Sequence, residues 1–121
     1  MHRHFPPASQ VILHELDSNV LTALNLSENG ITDSNMQLLG RSLGRNSSLE
    51  ALNLDGNLIT AAGAASLASA LETNATLHIL DLAHNPLAEE GMAAVARSLE
   101  LNNRDNMEGK GLKTLILRYG E

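Results

Sequence analysis

Cysteine and tryptophan are absent from this sequence of 121 residues, and tyrosine and phenylalanine occur once each. Without cysteine, the chain can form neither disulfides nor thiolate metal sites. Because aromatic side chains are nearly missing, the core has to be built from leucine, isoleucine, valine and alanine. Such a core suits identical stacked layers better than an irregular packing of rings.

Positive charge and long apolar runs are also scarce. Eight Lys and Arg residues stand against 14 Asp and Glu residues, and the formal net charge is −6. Nucleic-acid binding needs a basic stripe, so no nucleic-acid partner is expected. No run of about 18 apolar residues is present, so no membrane span is expected. Residues 1–7 lack the apolar centre of a signal peptide. We therefore expect a cytoplasmic protein, with a secreted effector as the alternative.

Leucines recur at a fixed interval. The pattern L-x-x-L-x-L-x-x-N-x-[IL] begins at Leu21, Leu49 and Leu77, in steps of 28 residues. A fixed interval of this length indicates a solenoid of stacked repeats. Each pattern predicts a short strand, because apolar and polar residues alternate. Apolar residues at helical spacing then predict helices over residues 33–43 and 61–71.

The interval divides the chain into a lead-in at residues 1–7 and a repeat domain at residues 8–121. The next L-x-x-L-x-L begins at Leu112, seven residues later than the interval predicts. The added residues are polar and contain glycine, which predicts a flexible loop. Within the domain we predict a half-repeat or cap at 8–20 with a helix over 8–16, full repeats at 21–48, 49–76 and 77–104, a loop insert within 103–111, and a terminal strand within 112–121.

The interval, the strand pattern and a helix of the form G-x-x-x-L-x-x-x-L followed by asparagine resemble the ribonuclease-inhibitor class of leucine-rich repeats. The resemblance covers residues 21–118. It implies an α/β fold, a right-handed solenoid in the form of a short horseshoe, with a parallel sheet on the concave face and helices on the convex face. Stacking would bury leucines that one strand–helix unit cannot bury alone.

Asparagine recurs at two places in the repeat. Asn29, Asn57 and Asn85 follow the strands. A row of amides could form a binding ladder, but the resemblance implies that these side chains turn inward and bind backbone groups of adjacent turns. Asn46 and its equivalents lie three residues past the last helical leucine, which favours a left-handed helix cap. Gly63, in the second helix, is interpreted as a close-packing position rather than part of a phosphate loop.

Residues that alternate outward along the strands form the predicted concave face. They are Ala23, Asn25, Ser27, Ala51, Asn53, Asp55, Ile79, Asp81, Ala83, Thr114, Ile116 and Arg118. Equivalent residues of neighbouring parallel strands lie about 4.8 Å apart and would form ladders. The face is polar and mildly acidic, with one cation at Arg118. We predict that a protein partner binds there, and a solvated face without a ligand is the alternative. The candidate partner-binding residues are Asn25, Ser27, Asn53, Asp55, Ile79, Asp81, His84, Ile116 and Arg118.

No catalytic, cofactor or metal site is predicted. Catalysis needs a nucleophile, a base and an orienting group that converge in a pocket, whereas Ser27, Asp81 and His84 are spread along an open sheet. His2 and His4 lie on the lead-in and show no convergent ligand spacing. The sequence therefore predicts a non-catalytic interaction module.

The terminal strand offers a second hypothesis. Residues 112–118 would form the last strand with no repeat after it, and an unpaired strand edge invites strand addition. The alternative function is a structural or assembly piece, or a fragment of a longer leucine-rich repeat protein of the NOD-like-receptor or bacterial-effector type. It would associate with another chain, or with itself, through Leu112–Arg118.

Overall fold

Strands and helices alternate along the chain and form one parallel sheet with helices beside it. The computed structural model describes residues 16–105 and 114–116, with side chains for residues 16–102. Among these residues, the strands lie in chain order and pair in parallel. The predicted α/β fold is thereby confirmed. The elements are β1 (Ala23–Asn25), α1 (Asp33–Arg45), β2 (Ala51–Asn53), α2 (Ala61–Thr73), β3 (Ile79–Asp81), α3 (Ala88–Asp105) and β4 (Thr114–Ile116).

The register of the sheet follows the sequence interval. Leu24 pairs with Leu52, and Leu52 pairs with Leu80, so paired residues are 28 positions apart. Leu80 then pairs with Leu115, 35 positions later. Part of this extra length is helical, because α3 continues through residues 103–105. These three residues were predicted to belong to a loop insert, and the rest of that insert lies outside the described residues.

Leucines of successive repeats form one core between the sheet and the helices. Each repeat contributes side chains at equivalent positions, and the neighbouring repeat covers them, as in other solenoids. Leu16 is buried in the same core, whereas residues 1–15, with nearly all of the predicted half-repeat helix, lie outside the described residues. The fully or almost fully buried residues include Leu39, Leu43, Leu49, Leu52, Leu54, Ile59, Leu67, Leu71, Leu77, Leu80, Leu82 and Val95.

Helices α1 and α2 begin at the predicted residues and end two residues later than predicted, at Arg45 and Thr73. Thr32 and Thr60 precede them as N-cap residues in an extended conformation. The Thr60 hydroxyl accepts a hydrogen bond from the backbone N–H of Ala62, which satisfies one of the free N–H groups at a helix start. α2 is rich in alanine, the residue that favours helix most strongly. Among the described residues, no helix combines the length and the apolar character needed to cross a bilayer.

The asparagines that follow α1 and α2 do not form the predicted left-handed cap. Asn46 and Asn74 have φ angles of −76° and −70° and are extended. Instead, Nδ2 of Asn74 donates to the carbonyl of Leu43 at 2.8 Å, and Oδ1 accepts from the backbone N–H groups of Thr76 and Leu77. The last carbonyls of a helix have no partner within the helix. The prediction was wrong because the asparagine serves the helix of the preceding repeat through its side chain.

The same contact recurs in the other repeats. Nδ2 of Asn46 donates to the carbonyl of Leu16, and Nδ2 of Asn102 donates to the carbonyls of Leu71 and Asn74, each at 2.8 Å. Asn102 lies inside α3 rather than after it, because α3 continues to Asp105. These side chains join each repeat to the helix end of the repeat before it.

Two of the three asparagines that follow the strands turn inward. Oδ1 of Asn57 accepts from the backbone N–H of Ile31 at 2.9 Å, and Nδ2 donates to the carbonyl of Leu26 at 3.0 Å. Asn85 makes the equivalent contacts one repeat later. Asn29 is exposed, and its Nδ2 donates to the carbonyl of Ser27, as the side chains of Asn57 and Asn85 donate to the carbonyl two residues before each. For Asn29 the contacts with an adjacent turn stay a prediction.

Candidate functional site

The sheet face that points away from the helices is open to solvent. α1, α2 and α3 pack side by side, and the strand leucines point towards them, so the alternate strand residues face the opposite way. We call this surface the open sheet face; it is the predicted concave face. Its described residues are Ala23, Asn25, Ala51, Asn53, Ile79 and Asp81 on the strands, with Ser27, Asp55 and His84 beyond the strand ends.

An apolar row crosses the open sheet face. The sheet register places Ala23 beside Ala51 and Ala51 beside Ile79. These residues line a shallow depression of about 350 Å³. Ile79 is 45% exposed. A single exposed aliphatic side chain is ordinary. Here it stands beside two small residues, with Thr114 on its other side, so a partner could reach close to the backbone of β1 and β2 and pack against Ile79.

A polar row runs beside the apolar one. Asn25, Asn53 and Asp81 are in register with one another. Their Oδ1 atoms each accept a hydrogen bond from the backbone N–H two residues later, at 2.9 Å in all three cases. This local bonding is typical of Asn and Asp, and it was not predicted from the sequence. It orders the side chains before binding, which lowers the entropy that a partner would have to overcome.

Three residues after each member of the polar row, one residue has a left-handed backbone conformation. Glu28, Gly56 and His84 have φ angles of 55°, 72° and 57°. Non-glycine residues are uncommon in this conformation. Here it turns the chain at the end of each strand, and the side chains of Glu28 and His84 are exposed at the border of the open sheet face. A Cβ atom added to Gly56 would lie 3.0 Å from Cγ of Glu28, so the Glu28 side chain lies over this glycine.

One side-chain contact joins two repeats at this border. Nδ1 of His84 lies 2.8 Å from Oδ1 of Asp55. Both residues were predicted as partner-binding residues, but their contact was not predicted. It connects the turn of one repeat to the strand end of the preceding repeat. The two residues hold different places in the repeat, so the 28-residue interval does not predict their contact. Side-chain exposure is 49% for His84 and 27% for Asp55, so a partner can reach both.

The charges of the open sheet face differ from those of the helices. Carboxylates lie on the open sheet face or at its border, whereas the helices carry both carboxylates and the arginines with described side chains. Within residues 16–102, the open sheet face therefore carries acidic groups and no Lys or Arg. Such a surface attracts basic groups. The acidic residues of the face are Glu28, Asp55 and Asp81, and the helices carry Asp33, Glu72, Glu89, Glu90 and Glu100 together with Arg41, Arg45 and Arg97.

Three segments at the repeat interval match a family model described as "Leucine Rich repeat". The matched residues are 17–40, 45–68 and 73–96, which together exceed half of the chain. The chain belongs to the leucine-rich repeat family. No curated protein matches the sequence of this leucine-rich repeat chain.

Two solved structures have similar folds. Leiomodin-1 Actin-Binding Site 2 is 23% identical, with a TM-score of 0.79, over 95% of this chain and 63% of that one. The tropomodulin C-terminal domain from Caenorhabditis elegans is 18% identical, with a TM-score of 0.71, over 92% of this chain and 62% of that one. The leucine-rich repeat chain thus spans less than two thirds of the length of either structure. At these identities the likeness shows the fold alone.

Not every residue that was predicted to lie on the open sheet face is exposed there. Ala83, predicted to point outward, is fully buried. Ser27 and Asp55, at the equivalent positions of the two preceding repeats, are partly exposed, so the prediction fails for Ala83 alone among these three. The backbone of Ile116 pairs with Asp81 in the sheet, whereas its side chain lies outside the described part. Arg118, the predicted cation, lies outside the described residues altogether.

The described part of the leucine-rich repeat also shows no metal-binding arrangement. Within residues 16–105 and 114–116, no three His, Asp or Glu side chains are grouped so that they could hold a metal ion. His84 is paired with Asp55. What this surface offers is an ordered row of amide and carboxylate groups beside a row of apolar ones. Such a surface suits a protein partner.

Proposed function

We propose that this leucine-rich repeat chain is a non-catalytic protein-binding module and that a protein partner docks on the open sheet face. One observation carries the proposal. The exposed Ile79 lies in a depression lined by Ala23 and Ala51 and bordered by polar and acidic side chains. An apolar centre with a polar rim is the usual anatomy of a protein–protein interface.

The proposal assigns no catalytic role to Asp55, Asp81 or His84. A depression of about 350 Å³ on an open face does not enclose a substrate as small-molecule sites do. Nδ1 of His84 faces a carboxylate, but no nucleophile converges on this pair among the hydrogen bonds of the described residues. The three side chains are better suited to hold polar groups of a partner.

The identity of the partner is a separate proposal. Actin binding is named in the description of the leiomodin-1 structure, where it refers to leiomodin-1. Because the folds are similar, actin is the first purified protein to test. Cosedimentation with filaments and anisotropy with monomers would report binding. Binding that is lost in a variant of the open sheet face would support actin as the partner. Absence of binding would exclude actin as the partner, and the proposal of a protein-binding module would still stand.

Affinity capture with matched variants tests the function itself. Asp55→Lys combined with Asp81→Lys reverses two charges on the open sheet face. Glu72→Lys combined with Glu100→Lys makes the same change in net charge on exposed residues of α2 and α3. We expect the wild type and the helix variant to capture the same proteins from an extract of the source organism, and the sheet variant to lose them. Unchanged capture by the sheet variant, with circular dichroism showing that it is folded, would refute the proposal.

Assembly through the terminal strand is a second candidate function. β4 is the last strand in the sheet order and pairs with β3. A strand at the end of a sheet offers backbone groups to another chain. Light scattering after size exclusion, over a wide range of concentrations, would compare the full chain with one that lacks residues 112–121. A mass that rises with concentration only in the full chain would support this candidate, and identical masses would refute it.

A further inference from the structure

We infer that the occupant of the open sheet face is a basic amphipathic α-helix of the partner protein, laid across the strands. The inference rests on the proposed function, because it specifies which kind of protein segment the face binds. It is supported by the spacing of the residues along the apolar row, by the width of the face and by the sign of its charge.

The spacing of the apolar row matches the pitch of a helix. Ala23, Ala51 and Ile79 occupy the same position on three successive strands, and such residues are about 4.8 Å apart. One turn of an α-helix advances about 5.4 Å. A helix that runs along this row therefore places one residue from each turn over each strand, at positions i, i+3 or i+4, and i+7. Ala23 and Ala51 allow a close approach, and Ile79 packs against the apolar stripe of the helix.

The width of the face also fits a helix. β1, β2 and β3 are each three residues long, which is about 10 Å at 3.3 Å per residue. An α-helix with its side chains is about 10–12 Å across. An extended segment laid on the face would find no ladder partners, because sheet hydrogen bonds run within the plane of the sheet. A helix brings its backbone groups already bonded, so it can cover the face without leaving them unsatisfied.

Charge selects a basic helix. Asp81 lies in the polar row, two residues along the strand from Ile79, and Asp55 and Glu28 follow at the strand ends. Glu50, directly before β2, is exposed at the opposite border. A helix whose axis follows the apolar row would therefore have Asp81, Asp55 and Glu28 along one flank and the single carboxylate of Glu50 on the other. Lys or Arg on those flanks would meet opposite charge, whereas Glu or Asp would be repelled, so the face discriminates by sign.

Selection from a display library tests this inference without assuming a partner. The library would carry random segments of about 16 residues, which as a helix would be about 24 Å long. It would be selected against the wild-type protein. We expect enrichment of sequences with an apolar residue at i, i+3 or i+4, and i+7 and with Lys or Arg beside that stripe. Synthetic peptides of the selected sequences should gain helical circular dichroism on binding and lose binding when a central residue becomes proline.

Variants of the protein test where the selected peptides bind. Asp55→Lys with Asp81→Lys should weaken their binding by about tenfold or more, and Ile79→Asp should abolish it. Glu72→Lys with Glu100→Lys, on the helices, should leave the dissociation constant unchanged. Selected segments that depend on Ile79 and Asp81 but are acidic or rich in proline would overturn the inference and leave the proposed function standing.

Two further outcomes would also overturn it. Binding that none of the sheet variants changes would refute the inference, because the library would then have found another surface, while affinity capture with the same variants tests the proposed function separately. A concentration-dependent dimer of the wild-type protein that Ile79→Asp dissolves would show that the occupant is a second copy of this chain. Light scattering of both proteins, run before the selection, separates that outcome from the others.

Discussion

The hydroxyl of Thr60 donates a hydrogen bond to Oδ2 of Asp33 at 2.5 Å, and the backbone N–H of Thr60 donates to Oδ1 of the same carboxylate at 2.8 Å. Asp33 begins α1 and Thr60 is the N-cap of α2. A carboxylate of one repeat thus lies at the helix start of the next, where negative charge is favoured. The Thr60 hydroxyl and then the Thr60 N–H lower the pKa of Asp33 from 3.8; burial opposes this, and the N–H of Gly63 adds to the lowering.

This contact predicts a dependence of stability on pH. A carboxyl group with a lowered pKa in the folded state stabilises the fold above its unfolded pKa. That contribution is lost as the pH falls below 3.8 and through the lower folded value. Urea denaturation should therefore show Asp33→Asn to be less stable than the wild type at pH 7, and the difference should shrink at pH 3. Thr60→Val removes the hydroxyl donor and should raise the pKa of Asp33, as NMR titration would show. A difference that is the same at both pH values would contradict the assignment.

The buried asparagines should matter far more than the exposed one at the same motif position. Asn57→Ala leaves the Ile31 N–H and the Leu26 carbonyl without their partners, and each buried unpaired group costs about 1–3 kcal/mol. We expect the free energy of unfolding to fall by about 3 kcal/mol in urea denaturation. Asn29→Ala is the matched control and should cost less than about 0.5 kcal/mol, since the side chain is exposed. Equal losses in the two variants would show that the inward contacts do not stabilise the fold.

Two glycines inside helices should respond to alanine with opposite signs. A Cβ on Gly63 would collide with the Asp33 carboxylate and with Ile59, so Gly63→Ala should destabilise the fold by about 1–3 kcal/mol. A Cβ on Gly44 would meet its neighbours at 3.9 Å, an ordinary contact distance. Gly44→Ala should then stabilise the protein by about 0.5 kcal/mol, because alanine favours helix over glycine. Thermal unfolding of both variants checks the signs, and a stabilising Gly63→Ala would refute the close packing there.

The left-handed turn at Gly56 should resist a side chain. Its φ is 72°, and an L-residue in this conformation costs about 1 kcal/mol or more. Gly56→Ala should lower the free energy of unfolding by about that amount, and Gly56→Asn should lower it less, because asparagine tolerates the conformation better. Urea denaturation would rank the three proteins. If alanine were tolerated better than asparagine, backbone conformation would not be the reason for glycine here.

The sheet could be predicted from the sequence because each strand repeats one motif. Leu24, Leu52 and Leu80 hold the same place in L-x-x-L-x-L, and they pair with one another in the sheet. The alternation of residues on a strand then determined which side chains face outward. Asn25, Asn53, Ile79 and Asp81 could be assigned to one surface on that basis.

Features that depend on contacts between repeats could not be predicted in the same way. An asparagine near a helix end can adopt a left-handed backbone conformation or form a hydrogen bond through its side chain. Asn74 does the second, because its side chain binds the carbonyl of Leu43 in the preceding repeat. The contact between His84 and Asp55 likewise joins different motif positions of two repeats. The 28-residue interval identifies equivalent positions in successive repeats. It does not indicate which of the non-equivalent positions contact each other.

The start of α3 departs from the repeat at a place where the motif contains a proline. The backbone N–H of Leu58 donates to the carbonyl of Ile31. The equivalent residue one repeat later is Pro86, which has no N–H to donate. There the chain takes a different path, and Ala88 has a φ of 59° where the N-cap Thr60 has −103°. The start of α3 thus differs from that of α2, whereas the register of the sheet is the same.

The most direct test of the proposed binding face is thiol protection. Since the chain has no cysteine, Ile79→Cys and Leu38→Cys each introduce a single thiol, one on the open sheet face and one on α1, at positions that are 45% and 40% exposed in the wild type. The alkylation rate of each thiol would be measured with and without a saturating captured partner. We predict that the partner slows alkylation in Ile79→Cys and leaves Leu38→Cys unchanged. Protection of the Leu38→Cys thiol alone, with the partner bound equally well to both variants, would contradict binding on the open sheet face.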